Sequence, residues 1–218
     1  MDPRLATMWW IGGSPCAGKT SLARLLAARY GLGTYHCDDG YAGRQARANG
    51  EGQPRLHARQ TATCDEIWLG EVGTMVADEL QAYGEELPMI VEELVTLGSG
   101  PLLVEGTALL PERVAALLGG RRRAIWVVPT EEFQRRHYAQ RAWTAEVVSG
   151  CSDPGRAWAN WMARDAAFAR RVADQAAALG LPVLWVDGRR TLERTAQVVA
   201  AWLGLAQARA PEHAADGP

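Results

Sequence analysis

Between an apolar run, Met8-Trp9-Trp10-Ile11, and a helical pattern that begins Leu22-Ala23-Arg24-Leu25-Leu26, the chain reads Gly13-Ser14-Pro15-Cys16-Ala17-Gly18-Lys19-Thr20-Ser21. The spacing G-x-x-x-x-G-K-[ST] carries meaning when a strand precedes it and a helix follows. Its glycines let the backbone curl until successive N–H groups point inward, and the helix start adds partial positive charge. Such a loop cradles phosphate. Lys19 is positioned to reach the β- and γ-phosphates of a nucleotide, and the Thr20 hydroxyl to ligate Mg²⁺. Lys19 is also the only lysine in the chain, every other cation being arginine. One position keeps a compact ammonium where a planar guanidinium fork would not be equivalent.

A strand feeding such a loop belongs to an alternating pattern. Residues 7–11 read as a short, buried first strand, and 18–30 as the first helix with Gly31 as its stop. Residues 34–37 read as a second strand, which ends at Asp38-Asp39-Gly40-Tyr41. Residues 42–54, rich in Gly, Gln, Asn and Arg, read as a mobile loop. A helical region over 57–98 is expected to be broken near 70–73 and again near 84–88. A third strand over 101–106 ends on Glu105, and 111–118 is a helix with proline in its first turn. The fourth strand covers 123–128, and a helix capped by Thr130 covers 131–143. Residues 154–179 form a long helix opened by Asp153-Pro154, followed by a fifth strand over 181–186 and a closing helix over 191–203. Strands alternating with helices indicate a parallel, doubly wound α/β sheet. Residues 1–205 are expected to form one domain, and the small, polar tail over 206–218 to be disordered.

Composition narrows the partners. With a formal charge of −2 the chain lacks the basic surface of a nucleic-acid binder. No stretch reaches the length of a membrane span. Cys16, Cys37, Cys64 and Cys151 lie far apart with no C-x-x-C pair, so reduced thiols in a cytoplasmic protein are expected, with neither a zinc site nor a disulfide framework.

On an open parallel sheet, ligands sit beyond the carboxyl ends of the strands. Asp38-Asp39 and Glu105 fall there beside the phosphate loop, and so does Asp187. Transfer of a phosphoryl group is mainly positioning and charge neutralisation, with a base to receive the acceptor's proton. Either Asp38 or Asp39 can be that base, provided geometry holds it within hydrogen-bond reach. Glu105 ends an otherwise apolar strand, Leu102-Leu103-Val104, and an oxygen donor there suits Mg²⁺.

Taken together, the loop from Gly13 to Thr20, the strand followed by Asp38-Asp39-x-Tyr41, and Leu103-Val104-Glu105-Gly106 resemble the P-loop kinases of small molecules. The motif style is similar to uridine kinase and phosphoribulokinase, and more distantly to shikimate kinase, gluconate kinase and chloramphenicol phosphotransferase. The resemblance implies a P-loop NTPase fold with five parallel strands in the order 2-3-1-4-5, a helical substrate-side region at 57–98 and a helical lid within 130–160. It implies ATP and Mg²⁺ as cofactors. It places Asp38 at the acceptor hydroxyl, Asp39 and Tyr41 beside the substrate, Glu105 near the metal, and lid arginines such as Arg135 and Arg141 over the phosphates. Arg136 is a further lid candidate, but adjacent residues on a helix face different ways, so Arg135 and Arg136 cannot both reach one ligand. The turn Val186-Asp187-Gly188-Arg189-Arg190 resembles an adenine-contacting turn, with Asp187 and Arg189 as its candidate contacts.

The expected activity is transfer of the γ-phosphoryl group to a hydroxyl of a metabolite, nucleoside or antibiotic. Two other readings stand beside it: a nucleotide-binding regulator with little turnover, and a toxin-like or nucleic-acid end kinase. The loop Gly40-Tyr41-Ala42-Gly43 lacks the aromatic-rich form common in uridine kinases. The acceptor, and the choice between ATP and GTP, stay open at this level.

Overall fold

The structure is a computed structural model, and it describes residues 2–98, 100–120 and 122–205. The 206–218 tail, expected to be disordered, lies outside the described residues. Five strands, β1 (Trp9–Gly13), β2 (Gly33–His36), β3 (Leu102–Glu105), β4 (Ala124–Pro129) and β5 (Val183–Val186), form one sheet in the order β2-β3-β1-β4-β5. Every pairing is parallel, with Ile11 opposite Glu105 on one side of β1 and Gly13 opposite Val127 on the other. This is the fold class and strand order expected, a P-loop NTPase sheet with β1 at its centre.

The apolar runs are continuous because the inner strands are covered on both faces, and the two-residue period deals side chains alternately to two cores. Trp9, Ile11, Leu103, Ile125 and Val127 enter one core, closed by α1 (Lys19–Tyr30) and α10 (Leu192–Leu203). Trp10, Val104, Trp126 and Val128 enter the other, beneath α5 (Val72–Leu97), α6 (Pro111–Leu118) and α9 (Pro154–Ala178). Two of the buried indoles find carbonyl partners: Trp9 Nε1 donates to Leu203 O at 3.0 Å and Trp126 Nε1 to Leu109 O at 2.8 Å. Asp153 caps α9 and Thr191 caps α10 through side-chain oxygens.

Three expectations about the helices are corrected. The stretch expected as a mobile loop over 42–54 opens with α2 (Tyr41–Arg47), and Pro54 already starts α3 (Pro54–Ala58). Arg44 is the reason. Its side chain is fully buried, pairing with Glu86 at 2.8 Å and Glu93 at 2.7 Å on α5 and donating to Cys37 O. The Glu85 carboxylate then accepts from the Arg55 and Leu56 N–H groups to start α3.

The break expected near 84–88 does not occur. α5 runs unbroken through Pro88 because Leu87, Met89, Ile90 and Leu94 are all buried, and their packing outweighs a helix penalty of about 3 kcal/mol. The break near 70–73 does occur, separating α4 (Cys64–Trp68) from α5. The helix expected over 131–143 stops early. It forms α7 (Glu131–Ala139) and resumes as α8 (Thr144–Ser149), with the Thr144 hydroxyl donating to Arg141 O at 2.7 Å in the turn.

The cysteine expectation is corrected as well. Cys64 and Cys151 form a disulfide across 87 residues of sequence, with Cα atoms 4.9 Å apart, while Cys16 and Cys37 are free thiols. Spacing along the chain cannot reveal such a pair, because only tertiary packing brings α4 beside the start of α9. No helix among the described residues is long and apolar enough to cross a membrane.

Burial raises the Glu86 carboxyl even against the neighbouring Arg44. Removing that arginine leaves a buried carboxylate without its main partner. Arg44→Ala should therefore cost about 3–5 kcal/mol in urea denaturation. A carboxyl whose folded pKa lies above its unfolded value destabilises as pH rises through that window. The deficit should therefore grow from acid toward neutral pH.

Candidate active site

β1 ends where the phosphate loop must begin, and its last residue explains the glycine. Gly13 has φ 137°, and a Cβ there would overlap the Val127 carbonyl of β4. At the far end Gly18, φ 77°, is the N-cap of α1 and contributes no side chain to cap it. By contrast α4, α5, α7, α9 and α10 are each capped by a side-chain oxygen. The first N–H groups of α1 thus face the loop without a side-chain acceptor, the arrangement that favours an anion. Between the glycines, Cys16 takes φ 63°, a left-handed conformation unusual for a side-chain-bearing residue.

Lys19 is 7% exposed. Its Nζ donates to Ser14 O at 2.8 Å and to Thr107 Oγ1 at 3.2 Å. Burial lowers its pKa, opposed by the attraction of Glu105 and Asp38. An ammonium held out of water with only neutral oxygens in hydrogen-bond contact is ready for an anionic partner. Beside it the Thr20 hydroxyl donates to Glu105 Oε1 at 2.9 Å, and His36 Nδ1 lies 2.8 Å from that same oxygen. Glu105 Oε2 is buried and without a hydrogen-bond partner, as is the Ser14 hydroxyl. A buried carboxylate oxygen left open next to a hydroxyl suits a hard cation.

Lys19, Thr20 and Thr107 line a cleft of about 510 Å³, and Glu105 meets it through the Thr20 hydroxyl. Its lining holds the loop from Pro15 to Ser21, Asp38, Tyr41 and Thr107, together with Tyr138, Arg141 and Trp143. Of the two adjacent acids, Asp38 lines the cleft, whereas Asp39 is exposed and lies outside the lining. Arg141 sits over Tyr138 at 5.5 Å and Trp143 at 5.7 Å, so its guanidinium rests on an aromatic wall. Arg135 is not among the lining residues, and its guanidinium pairs with Glu131 at 3.1 Å on its own helix. Arg136 lies toward the turn after β5, where a Cβ on Gly188 would meet its guanidinium and the Phe133 ring. In that turn Asp187 Oδ1 accepts from Arg189 N at 2.9 Å, and the Arg189 side chain points into solvent.

A second cavity of about 370 Å³ adjoins the first and shares Tyr41, Arg59 and Glu79 with it. Its further walls include Glu66, Trp68, Met75 and Arg164 from α4, α5 and α9. Glu79 is the hinge of this wall: Oε2 accepts from Arg59 at 2.6 Å and from Arg164 at 2.9 Å. Burial raises its carboxyl, but the two guanidinium groups prevail and hold it below the usual range. Arg164 in turn pairs with Asp165 at 2.6 Å, and the Tyr138 hydroxyl donates to Asp165 Oδ2 at 2.8 Å. From the sequence, Arg59 stands with Arg55 and His57 either as a binder of an anionic acceptor group or as part of a solvated helix start, and 79, 107 and 164 are not singled out. The motif Glu105-Gly106-Thr107 carries a signal for Thr107. Nothing local marks the other two, which belong to helices that meet only in the fold.

No protein-family model matches the sequence, and no curated protein is significantly similar to it. Among solved structures, TT1252 from Thermus thermophilus is 15% identical, with TM-score 0.48 over 90% of this chain and 97% of that one. Shikimate kinase from Acinetobacter baumannii, in complex with shikimate, is 17% identical, with TM-score 0.45 over 90% and 93%. Shikimate kinase from Aquifex aeolicus is 12% identical, with TM-score 0.40 over 94% and 99%. What the site can do is therefore decided by its own geometry.

Replacing the buried ammonium tests the cradle directly. A hydrogen bond to a charged partner contributes about 1.5–3 kcal/mol, so Lys19→Ala should weaken binding of inorganic triphosphate by roughly 10- to 100-fold in calorimetry. The thermal midpoint of the ligand-free protein should not fall, because the change also removes a buried charge.

Proposed function

We propose that the chain is an ATP- and Mg²⁺-dependent kinase that transfers the γ-phosphoryl group to a hydroxyl of a small molecule. The observation that supports it most is a juxtaposition in one cleft. The buried Lys19 and the uncapped start of α1 lie on one side of Asp38, and a second cavity opens beside them.

In this reading the loop from Gly13 to Ser21 takes the phosphates of ATP. Lys19 Nζ exchanges its two neutral acceptors for β- and γ-phosphate oxygens, so that a lone buried charge becomes a paired one. Thr20 and Glu105 would hold Mg²⁺, which when bound neutralises phosphate charge. The open Oε2 and the Thr20 hydroxyl supply oxygen donors of the right kind, and His36 steadies the carboxylate through Oε1. The turn of Asp187, Gly188 and Arg189, with Arg136 and Phe133 packed against Gly188, would hold the base.

The acceptor would enter from the second cavity, between Tyr41, Arg59 and Glu79, with its hydroxyl toward Asp38. As the hydroxyl oxygen bonds to the γ-phosphorus, the bond from phosphorus to the β,γ-bridging oxygen breaks. ADP leaves with that electron pair, and the hydroxyl proton passes to the Asp38 carboxylate. Arg141 lines the same cleft and offers its guanidinium to the charge that spreads over the transferring group.

A panel of small hydroxyl compounds, scored for acceptor-stimulated ADP release and checked by mass spectrometry of the product, tests the proposal. Removing a general base costs about 10²- to 10⁴-fold in rate. Asp38→Asn should therefore lose acceptor phosphorylation by that factor while ATP affinity changes little. A protein that binds ATP and Mg²⁺ yet turns over with no acceptor in a broad panel would be a nucleotide-dependent regulator instead.

A further inference from the structure

We propose that the Cys64–Cys151 bridge is a reversible thiol–disulfide exchange site that latches the acceptor-side wall of the cleft to the root of the lid. Cys64 is the first residue of α4, and α4 supplies Glu66, Ile67 and Trp68 to the second cavity. Cys151 lies between α8 and α9, packed with Tyr138, Val148, Trp161 and Met162. Tyr138 lines the phosphate cleft and lies 4.9 Å from Trp161 between ring centres. One covalent link therefore joins the wall of the acceptor cavity to the aromatic cluster that carries the lid side of the phosphate cleft.

The wall depends on that link unevenly. α4 has five residues, far fewer than an isolated helix needs to hold its shape. Its non-covalent ties gather at its far end. Asn160 donates to Trp68 O at 2.9 Å, Arg156 donates to Leu69 O at 3.0 Å, and Trp68 packs on Trp161. At the near end α4 is tied to the rest of the fold by the bridge, by the Cys64 sulfur 3.7 Å from Val147 O, and by the Ser152 N–H, which donates to Asp65 at 2.7 Å. Opening the bridge frees the first turn of α4, with Glu66 and Ile67, while Trp68 stays anchored. The hydrogen bonds of Lys19 and Thr20 go to Ser14, Thr107 and Glu105, all outside this segment, so they keep their geometry.

The exchange chemistry is self-contained once a small thiol such as glutathione is the partner. Cys151 is buried and Cys64 half-buried, so the thiolate attacks the Cys64 sulfur. The S–S bond breaks, and Cys151 leaves with the electron pair and takes up a proton. A second thiolate attacks the mixed disulfide and frees Cys64, which is protonated in turn. In sum, two thiols are oxidised to one small disulfide, and two electrons and two protons reach the protein. Glutathione disulfide runs the steps backward. Cys16 and Cys37 stay out of this exchange, since burial raises both thiols and leaves them little thiolate. The link to acceptor binding rests on the kinase reading. A protein that consumes ATP works where thiols are mostly kept reduced, and bridges there are usually transient or sensing.

The test uses the full chain equilibrated in glutathione buffers from reducing to oxidising. Alkylation and mass spectrometry count free thiols, hydrogen exchange follows residues 60–70, and calorimetry measures ATP affinity. Reduction should expose two further alkylatable thiols, at Cys64 and Cys151, and speed exchange at 64–67 by about tenfold. ATP affinity should stay within about twofold. Once an acceptor is known, its KM should rise on reduction and fall again on re-oxidation, and Cys64→Ser should match the reduced protein in both buffers. Unchanged exchange at 64–67 after the bridge has opened, or four free thiols in the oxidising buffer, overturns the proposal. Failure to find an acceptor defeats the kinase reading alone, because thiol counts and exchange rates decide the latch without turnover.

Discussion

Two charges held out of water at the same edge of the sheet govern the rest of the site. Lys19 and Glu105 stand on neighbouring segments, the ammonium after β1 and the carboxylate at the end of β3, each less than a tenth exposed. Burial of either alone would be costly, and here neither is fully compensated. Lys19 leans on a carbonyl and a hydroxyl, and one oxygen of Glu105 has no partner. The sheet sustains this because the strands beneath are closed on both faces, so the edge cannot relax by sinking inward. A polyphosphate with a hard cation carries the two charges that such an edge lacks.

Elsewhere the chain handles buried charge in the opposite way, by completing it. Arg44 lies fully buried, yet it meets two carboxylates, a carbonyl and the Tyr35 hydroxyl. Arg164 meets Glu79 and Asp165, and Tyr138 and Trp161 donate to the remaining Asp165 oxygen. A guanidinium suits these places because its planar fork serves several acceptors at once. An ammonium is a point charge that can trade partners quickly. Lys19, at the cleft, and the buried Arg44 and Arg164, in the framework, fall on opposite sides of that distinction.

What could be read from the sequence follows from how local each feature is. The phosphate loop, the strand ends at Asp38 and Glu105, the cap at Thr130 and the helix opening at Asp153-Pro154 depend on neighbours a few residues away. Patterning shows them plainly. The stretch after Tyr41 read as a loop because Gly and Asn have weak helical preference, and the residue that orders it, Arg44, finds its partners some forty positions on. Pro88 reads as a stop by its chemistry, yet the apolar residues around it pack on α9 and the sheet and carry the helix through. The bridge between Cys64 and Cys151, and the Glu79 hinge between Arg59 and Arg164, are tertiary facts without a local sign. The parts hidden from the sequence lie mostly around the second cavity. That is why the loop from Gly13 to Ser21 is legible and the second cavity is not.

That asymmetry has a structural counterpart in the wall between the two cavities. Arg59 and Glu79 border both, so a molecule in the second cavity touches the same ion pair that borders the phosphate cleft. The pair cannot shift freely, because Arg164 holds Glu79 from behind and is itself held by Asp165 on α9. Nor can α9 yield, since Phe168, Val172 and Ala176 are locked in the core under the sheet. Position is thus passed from the sheet through a buried charge ladder to the partition between the two cavities. Asp38, exposed and on a short turn, lies in the same cleft as that fixed partition of Arg59 and Glu79.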